Sequence, residues 1–420
     1  LTFGQEWENS ELANIIIIAG AGEKSFCAGG DVAAVVKTIT SEPDNPSLPM
    51  AYFSLEYQLD HLIATYPKPY IAYMDGITMG GGVGLSVHAP FRIATDRTRF
   101  AMPETSIGFF PDVGASFFLP RLEGSVGTYL ALTSKQLSGV DAYYAGLATH
   151  YIHHTTLPSL TARLGELEFK DYDPLLTRLS LINQTIEEFS SSLPHDQTLE
   201  IVGKTREAID RCFSHPTIEK IIQALEAEKE GEMRSWAEAT LQELSERSPT
   251  SLKVALKQMI IGRRWNISET FQREFHLAAR MIAHPDFVSG VSAKLLDKPP
   301  TKPKWKPSTI EAVEATDVNG FFIVEGQERL PLIGDDARWT EYPTNFGLPS
   351  EADVRVVVQE NRDGRNNKKK IDAEILRLQN VFKKKYGGKV GVSEKVMDVI
   401  VRKCGFHNEL GIVWKEDLKG

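Results

Sequence analysis

The residues of this chain whose types and spacing suit chemistry are two glycine-rich turns and two carboxylates that follow them. The first turn is Phe26-Cys27-Ala28-Gly29-Gly30-Asp31 and the second is Met79-Gly80-Gly81-Gly82-Val83-Gly84. Each lies between a buried apolar run and a helical period. Glycine lets backbone approach a ligand closely and adopt positive φ, and N–H groups at a helix start point outward unpaired. Two such N–H groups meeting on one carbonyl oxygen form an oxyanion hole, in which a single donor contributes about 2.7–4 kcal/mol to a transition state. The acids are Glu104, in Met102-Pro103-Glu104-Thr105, and Asp112, in Phe109-Phe110-Pro111-Asp112-Val113-Gly114. Apolar surroundings raise a carboxyl pKa and make it a better base near neutral pH. Taken singly, these features have plainer readings. Neither turn fits the phosphate-binding patterns G-x-x-x-x-G-K-[ST] or G-x-G-x-x-G, so each reads equally as a tight structural turn. Asp112 reads equally as the N-cap of a helix over residues 113–119.

The elements that must hold these turns belong to an α/β layer structure. Apolar runs at 15–18, Tyr70–Met74, Phe91–Ala94, 100–101 and 149–153 predict strands, with a loop over 19–31. A helix over 50–65 carries Leu62 and Ile63 on its apolar side and stops at Pro67 and Pro69. The pattern over 125–148 is helical. From about 160 to 280 charged amphipathic helices dominate, for example at 219–230, 232–248 and 250–261. Pro299, Pro300, Pro303 and Pro307 then mark an extended segment. Beyond Pro349, Ile371, Ile375, Leu378 and Phe382 share one helical face, and Gly387-Gly388 ends that helix. The expected division is a core at 1–155, a helical subdomain at 156–310, an extended linker at 311–350 and a basic C-terminal extension at 351–420.

Bulk properties bound the reading. The 420 residues, 42% hydrophobic and 25% charged, are those of a folded globular protein. No run approaches the roughly 18–20 apolar residues of a membrane-spanning helix. Three widely spaced cysteines argue against a disulfide framework or a Cys-rich zinc site and suit a reducing compartment. The chain begins with Leu1 rather than Met, so a preceding piece is expected. The net charge of −9 divides unevenly: residues 351–420 hold 16 Lys/Arg against 11 Asp/Glu, and the rest of the chain carries −14.

Order and combination add what single motifs lack. Phe26-Cys27-Ala28-Gly29-Gly30-Asp31, then Asp75-Gly76-Ile77-Thr78 leading into the second turn, then Phe100-Ala101-Met102-Pro103-Glu104 and Gly108 to Gly114 resemble the enoyl-CoA hydratase/isomerase (crotonase) superfamily. Within it the chain is most similar to the 3-hydroxyisobutyryl-CoA hydrolase branch of valine breakdown. Ser248-Pro249-Thr250-Ser251-Leu252-Lys253, Asp286-Phe287 with Gly290-Val291, and Pro303-Lys304-Trp305-Lys306-Pro307 support that branch. The resemblance covers about residues 10–310. It implies a crotonase-type ββα spiral core followed by a helical subdomain, and a mitochondrial matrix acyl-CoA thioester hydrolase acting on a short 3-hydroxyacyl-CoA. It implies Gly30 and Gly81 as the oxyanion-hole amides, Glu104 as the carboxylate beside the scissile bond, Asp112 as the second acid, and Glu56, in Ser54-Leu55-Glu56-Tyr57, as a substrate contact. No cofactor is implied beyond the CoA of the substrate. Hydratases of the superfamily carry a second glutamate where this chain has Gly84, so hydration is not expected, whereas hydrolysis needs one base or nucleophile and the oxyanion hole. Family members also begin with further strands ahead of the first one here.

The tail supports a different class of function. Lys368-Lys369-Lys370 and Lys383-Lys384-Lys385 flank the amphipathic helix, and basic clusters beside an apolar stripe suit docking on RNA or on a ribonucleoprotein surface. Relatives of the hydrolase occur as a protein of the mitochondrial small ribosomal subunit, so ribosomal proteins or rRNA are partners to expect through residues 351–420. A solvated appendage or an oligomerisation helix is the plain alternative. An isomerase would need a further acid that no position supplies. No metal site is expected: His153-His154 lacks the i, i+4 spacing with added ligands that zinc favours and reads as a surface pair at a strand end.

Overall fold

Eight short strands in the first third of the chain sort into two sheets. They are β1 (Ile16–Ile18), β2 (Ser25–Cys27), β3 (Tyr70–Met74), β4 (Ile77–Met79), β5 (Phe91–Ala94), β6 (Arg99–Ala101), β7 (Leu137–Ser138) and β8 (His150–Tyr151). One sheet runs β1-β3-β5-β8, parallel throughout, and the other β2-β4-β6-β7, with its last pair antiparallel. The chain therefore makes two strands, one for each sheet, crosses over and repeats. The computed structural model describes residues 2–418 apart from 44, 46, 171, 191–192, 195–197, 325, 327, 334–336, 361–370 and 408–410.

Strand β3 is buried at every position, which is why Tyr70-Ile71-Ala72-Tyr73-Met74 reads as one apolar run and not as an alternation. The strands of the second sheet are mostly three residues long, too short to show a period. For that reason β2 falls inside the segment expected as a loop, and β4 inside the stretch that leads into the second turn. Their pairing, Ser25 opposite Ile77 and Cys27 opposite Thr78, brings the two glycine turns side by side.

Helix α1 spans Thr2–Asn9, α2 Val32–Ser41, α3 Ser47–Ala64, α4 Gly81–Val87 and α5 Ala115–Phe118. The Asp31 carboxylate caps α2 by accepting from the Ala34 N–H at 2.9 Å. The stretch 125–148, expected to be one helix, is two. Ser134 takes a left-handed φ of 59° and ends the Val126–Thr133 helix, and Ser138 caps Gly139–Tyr144 by accepting from the Asp141 N–H at 3.1 Å, with β7 between them.

Helices dominate from Leu157–Gly165 to Pro285–Val291. Of these, Pro249–Gly262 packs on α5, and Ile267–Ala283 packs on α3 and α5. Residues 311–350 hold the Ala315–Phe321 helix, and Trp339 and Tyr342 from this stretch set their rings edge-on against Phe117.

The C-terminal part builds helices Glu351–Glu360, Ile371–Lys385 and Val392–Lys403, then a hairpin of Cys404–His407 with Gly411–Trp414. Its apolar faces join the same core as the first third of the chain: Val354, Leu378, Phe382, Val396 and Val399 are buried in one cluster with Val126, Tyr143 and Phe213. On the expected stripe Leu378 and Phe382 are buried, Ile375 is partly covered and Ile371 stays exposed.

Part of the basic charge of the tail turns inward. Lys395 pairs with Glu123 at 2.7 Å, Arg402 with Glu351 and Asp398 at 2.8 Å each, and Lys403 with Asp210 at 3.3 Å. Lys389 pairs with Glu187. Buried Arg206 reaches Glu351 at 3.0 Å and Asp210 at 3.1 Å. Lys389, Lys395 and Lys403 thus set part of the tail's positive charge against acids of the body. Lys383 and Lys384 remain exposed, and Lys368-Lys369-Lys370 lies outside the described residues.

Candidate active site

The structure brings Gly30, Gly81, Glu104, Asp112 and Glu56 together. Gly81 opens α4, so its N–H has no acceptor within the helix. Gly80 before it takes φ 51° and ψ −122°, and Gly29 takes φ 116°, conformations that suit glycine. A Cβ added to Gly81 would stand 3.2 Å from the backbone nitrogen of Gly30 and would overlap Glu56 Oε1. The two turns thus meet with a carboxyl over them.

Glu104 is the first residue of a 3-10 turn, Glu104–Ile107, directly after β6. Its carboxyl is buried, with Oε1 3.2 Å from a Cβ position on Gly80, and Oε2 has no hydrogen-bond partner among the described residues. Burial, and next the charge of Asp112, hold its pKa well above the usual carboxylate range.

Asp112 does not cap a helix, because α5 begins only at Ala115. Its Oδ2 accepts from the Tyr57 hydroxyl at 2.7 Å. The loop is pinned around it. His88 Nε2 lies 2.8 Å from the Val113 carbonyl, and Val113 is held at a φ of 52°. The Glu274 carboxylate accepts the N–H of Gly114 at 2.7 Å and of Ser116 at 2.8 Å, and Gln258 donates to the Pro111 carbonyl. Burial pushes Asp112 up to about 7.

Helix α3 lines the site with Tyr52, Glu56, Tyr57 and Asp60. Tyr52 donates to Glu56 Oε1 at 3.2 Å. Burial and the neighbouring Asp112 push Glu56 up to about 8. Asp60 is fully buried, neither of its oxygens has a partner among the described residues, and burial and then Glu56 hold its pKa well above the normal range. Tyr52, Glu56 and Asp60 recur at i, i+4, i+8, which places them on one helical face. That spacing was the signal available for Tyr52 and Asp60. Glu274 and His88 lie far away in sequence and no local pattern marks them.

Five carboxyls, Glu56, Asp60, Glu104, Asp112 and Glu274, thus share one buried region with Tyr52 and Tyr57 and act on each other's charge. Like charges about 5 Å apart repel by about 3 kcal/mol at an effective dielectric of about 20. They therefore cannot all ionise near neutrality, and a set that shares protons holds an acid and a base side by side. Away from this site, Asp96 follows β5 and the pair His153-His154 follows the neighbouring β8. Asp96 Oδ2 lies 2.8 Å from His154 Nδ1 and 3.7 Å from His153 Nε2, and the ligand atoms of the three lie within 4.8 Å of one another. Sequence spacing does not reveal the carboxylate between the two imidazoles.

The chain is 51% identical, over 94% of its length and 78% of the relative's, to the small ribosomal subunit protein mS47 of Neurospora crassa. It is 42% identical to the mitochondrial 3-hydroxyisobutyryl-CoA hydrolase of Danio rerio, over 76% of this chain and 80% of that one. Among solved structures it resembles a carnitinyl-CoA dehydratase from Mycobacterium thermoresistibile, with a TM-score of 0.66, 30% identity and 78% and 90% of the two chains covered. The fold is the crotonase-type α/β arrangement of parallel sheets followed by a helical C-terminal region. The family model for enoyl-CoA hydratase/isomerase matches residues 2–322; on that match and these relatives, the chain belongs to the enoyl-CoA hydratase/isomerase family and is homologous to the 3-hydroxyisobutyryl-CoA hydrolases.

Proposed function

We propose that this chain is a protein of the mitochondrial small ribosomal subunit. The observation that carries this reading is the extent of similarity. The match to the ribosomal relative takes in 94% of the chain and so must include much of the C-terminal helices, whereas the Danio rerio hydrolase matches 76%. The sequence motifs alone had put hydrolysis first; the fuller match favours the ribosomal alternative. The test is co-sedimentation of the tagged full-length chain with mitochondrial small subunits at moderate salt. Deleting residues 351–420 is a poor control, because it would strip buried contacts from the body. Reversing exposed Lys383 and Lys384 to Glu leaves the core intact and tests whether the remaining outward charge contributes. A chain that stays in the supernatant at every salt concentration overturns the assignment.

The intact carboxyl set favours a second reading alongside the first, hydrolysis of a 3-hydroxyacyl-CoA thioester such as 3-hydroxyisobutyryl-CoA. The thioester carbonyl would lodge against the N–H groups of Gly30 and Gly81. Glu104 would take a proton from water as it attacks, or attack first to give a mixed anhydride that water then hydrolyses to the free acid and the Glu104 carboxylate. The C–S bond breaks and Asp112, held near neutrality by burial, gives the departing thiolate its proton or orients the substrate hydroxyl. Glu56 would contact the substrate. Assaying purified protein for free CoA against a panel of short 3-hydroxyacyl-CoA esters tests this activity apart from ribosome binding.

A further inference from the structure

Tyr52 has no role in the scheme above, yet it stands at its centre. A Cβ built on Gly30 would overlap the Tyr52 hydroxyl, would stand 2.9 Å from the ring carbon bearing it, and would lie 3.3 Å from Glu56 Oε1. The same Glu56 oxygen covers Gly81 and accepts from the Tyr52 hydroxyl at 3.2 Å. The phenol and the carboxyl, one helical turn apart on α3, therefore bridge both glycine turns.

We propose that the Tyr52–Glu56 pair is a clasp that closes the two-glycine turn in the free protein, and that an acyl thioester enters by displacing the Tyr52 hydroxyl. This rests on the thioester reading of the site. A Cβ position lies about 2.5 Å from its own backbone nitrogen, so a hydroxyl overlapping it sits within about 4.5 Å of the Gly30 nitrogen and crowds the space beside that N–H. A carbonyl oxygen bonded to that N–H must come to about 2.9 Å. The same Glu56 oxygen lies over the Gly81 side of the turn. Burial keeps the phenol in its neutral, donating form, which maintains the bond to Glu56 until a stronger acceptor arrives. Tyr52 is half-buried and packed against the core, with its ring edge-on to Phe53 at 5.4 Å, so rotating it outward gives up that packing and the hydrogen bond to Glu56.

Tyr52→Phe removes the hydroxyl and keeps the ring. Full-length wild type and variant are titrated calorimetrically with the ketone analogue of a 3-hydroxyacyl-CoA, in which a methylene replaces the sulfur. The expected result is at least five-fold tighter binding by the variant, with KM lowered and kcat within two-fold in the CoA-release assay. Unchanged or weaker binding overturns the clasp. So does a ten-fold loss of kcat at constant KM, which would make the hydroxyl a donor to the reacting carbonyl. Tyr52→Leu, checked by thermal melting, must bind the analogue at least as tightly as Tyr52→Phe. If neither protein releases CoA but the variant binds the analogue more tightly, the clasp stands and hydrolysis falls. If wild type releases CoA and the variant binds no better, hydrolysis stands and the clasp falls.

Discussion

The carboxylate of Asp60 fills the space beside Gly84. A Cβ added at position 84 would meet both Asp60 oxygens at 2.7 Å. Gly84 is where hydratases of this family keep a second glutamate, so the missing acid is matched by a carboxyl from another helix occupying the approach to it.

Gly84→Ala should therefore destabilise the fold by about 1–3 kcal/mol, the usual cost of forcing a methyl group into a packed core. In the double variant with Asp60→Ala most of that loss should return, and a urea-denaturation cycle over the four proteins reads the coupling. Additive losses would show that the two positions do not compete for one space.

Replacing Glu104 by Gln should lower CoA release by about 10²–10⁴-fold, the range for removing a general base. The melting temperature should hold or rise, because a neutral amide replaces a buried acid whose ionisation the site opposes. Chromatographic assay of free CoA, paired with thermal melting, checks both halves. Undiminished turnover would remove Glu104 from the chemistry.

Stability should fall as pH rises from about 6.5 to 8.5. Burial raises Glu274 to about 8 and Asp112 to about 7. A carboxyl with a raised folded pKa holds its proton more tightly when folded, so its contribution is full below the unfolded pKa and is lost as pH climbs through the folded one. Buried His88 and His150, each lowered to about 4 by burial, act in the opposite sense but only below their unfolded value near 6.5. Above that the carboxyls alone set the slope, up to about 1.4 kcal/mol per pH unit for one group. Asp112→Asn should flatten the decline in melting temperature over this window.

Phe382→Ala should cost about 3–5 kcal/mol, as for other buried aromatic truncations, since Phe382 is fully buried in the main core. Arg402→Ala should cost less, about 1–3 kcal/mol, because Glu351 keeps buried Arg206 at 3.0 Å and Asp398 keeps the Gly203 N–H at 2.9 Å. Chemical denaturation should remain a single transition in both variants, with site and C-terminal probes moving together. A separate early transition from the C-terminal helices would contradict the shared core.

What the sequence disclosed was what is local. Tyr70-Ile71-Ala72-Tyr73-Met74 is buried on both faces and long enough to announce a strand, whereas Ser25–Cys27 and Ile77–Met79 are three residues each and need a partner to be strands at all. Gly30 and Gly81 were legible because their turns are motifs. Glu274 and His88 act on the Asp112 loop from 162 and 24 residues away in the chain, so only folding connects them. The tail's lysines carry the same charge whether they face solvent or Glu123, and composition cannot tell the two apart.

The junction of Lys395 with Glu123 spans 272 residues, so through most of synthesis Glu123 has Arg206, at 3.5 Å, but not the second cation of its pair. Until the last helix leaves the translating ribosome, the apolar cluster that holds Val126, Tyr143 and Phe213 lacks Val396 and Val399. A premature stop codon anywhere before position 392 would thus be read by the cell as an unfinished molecule.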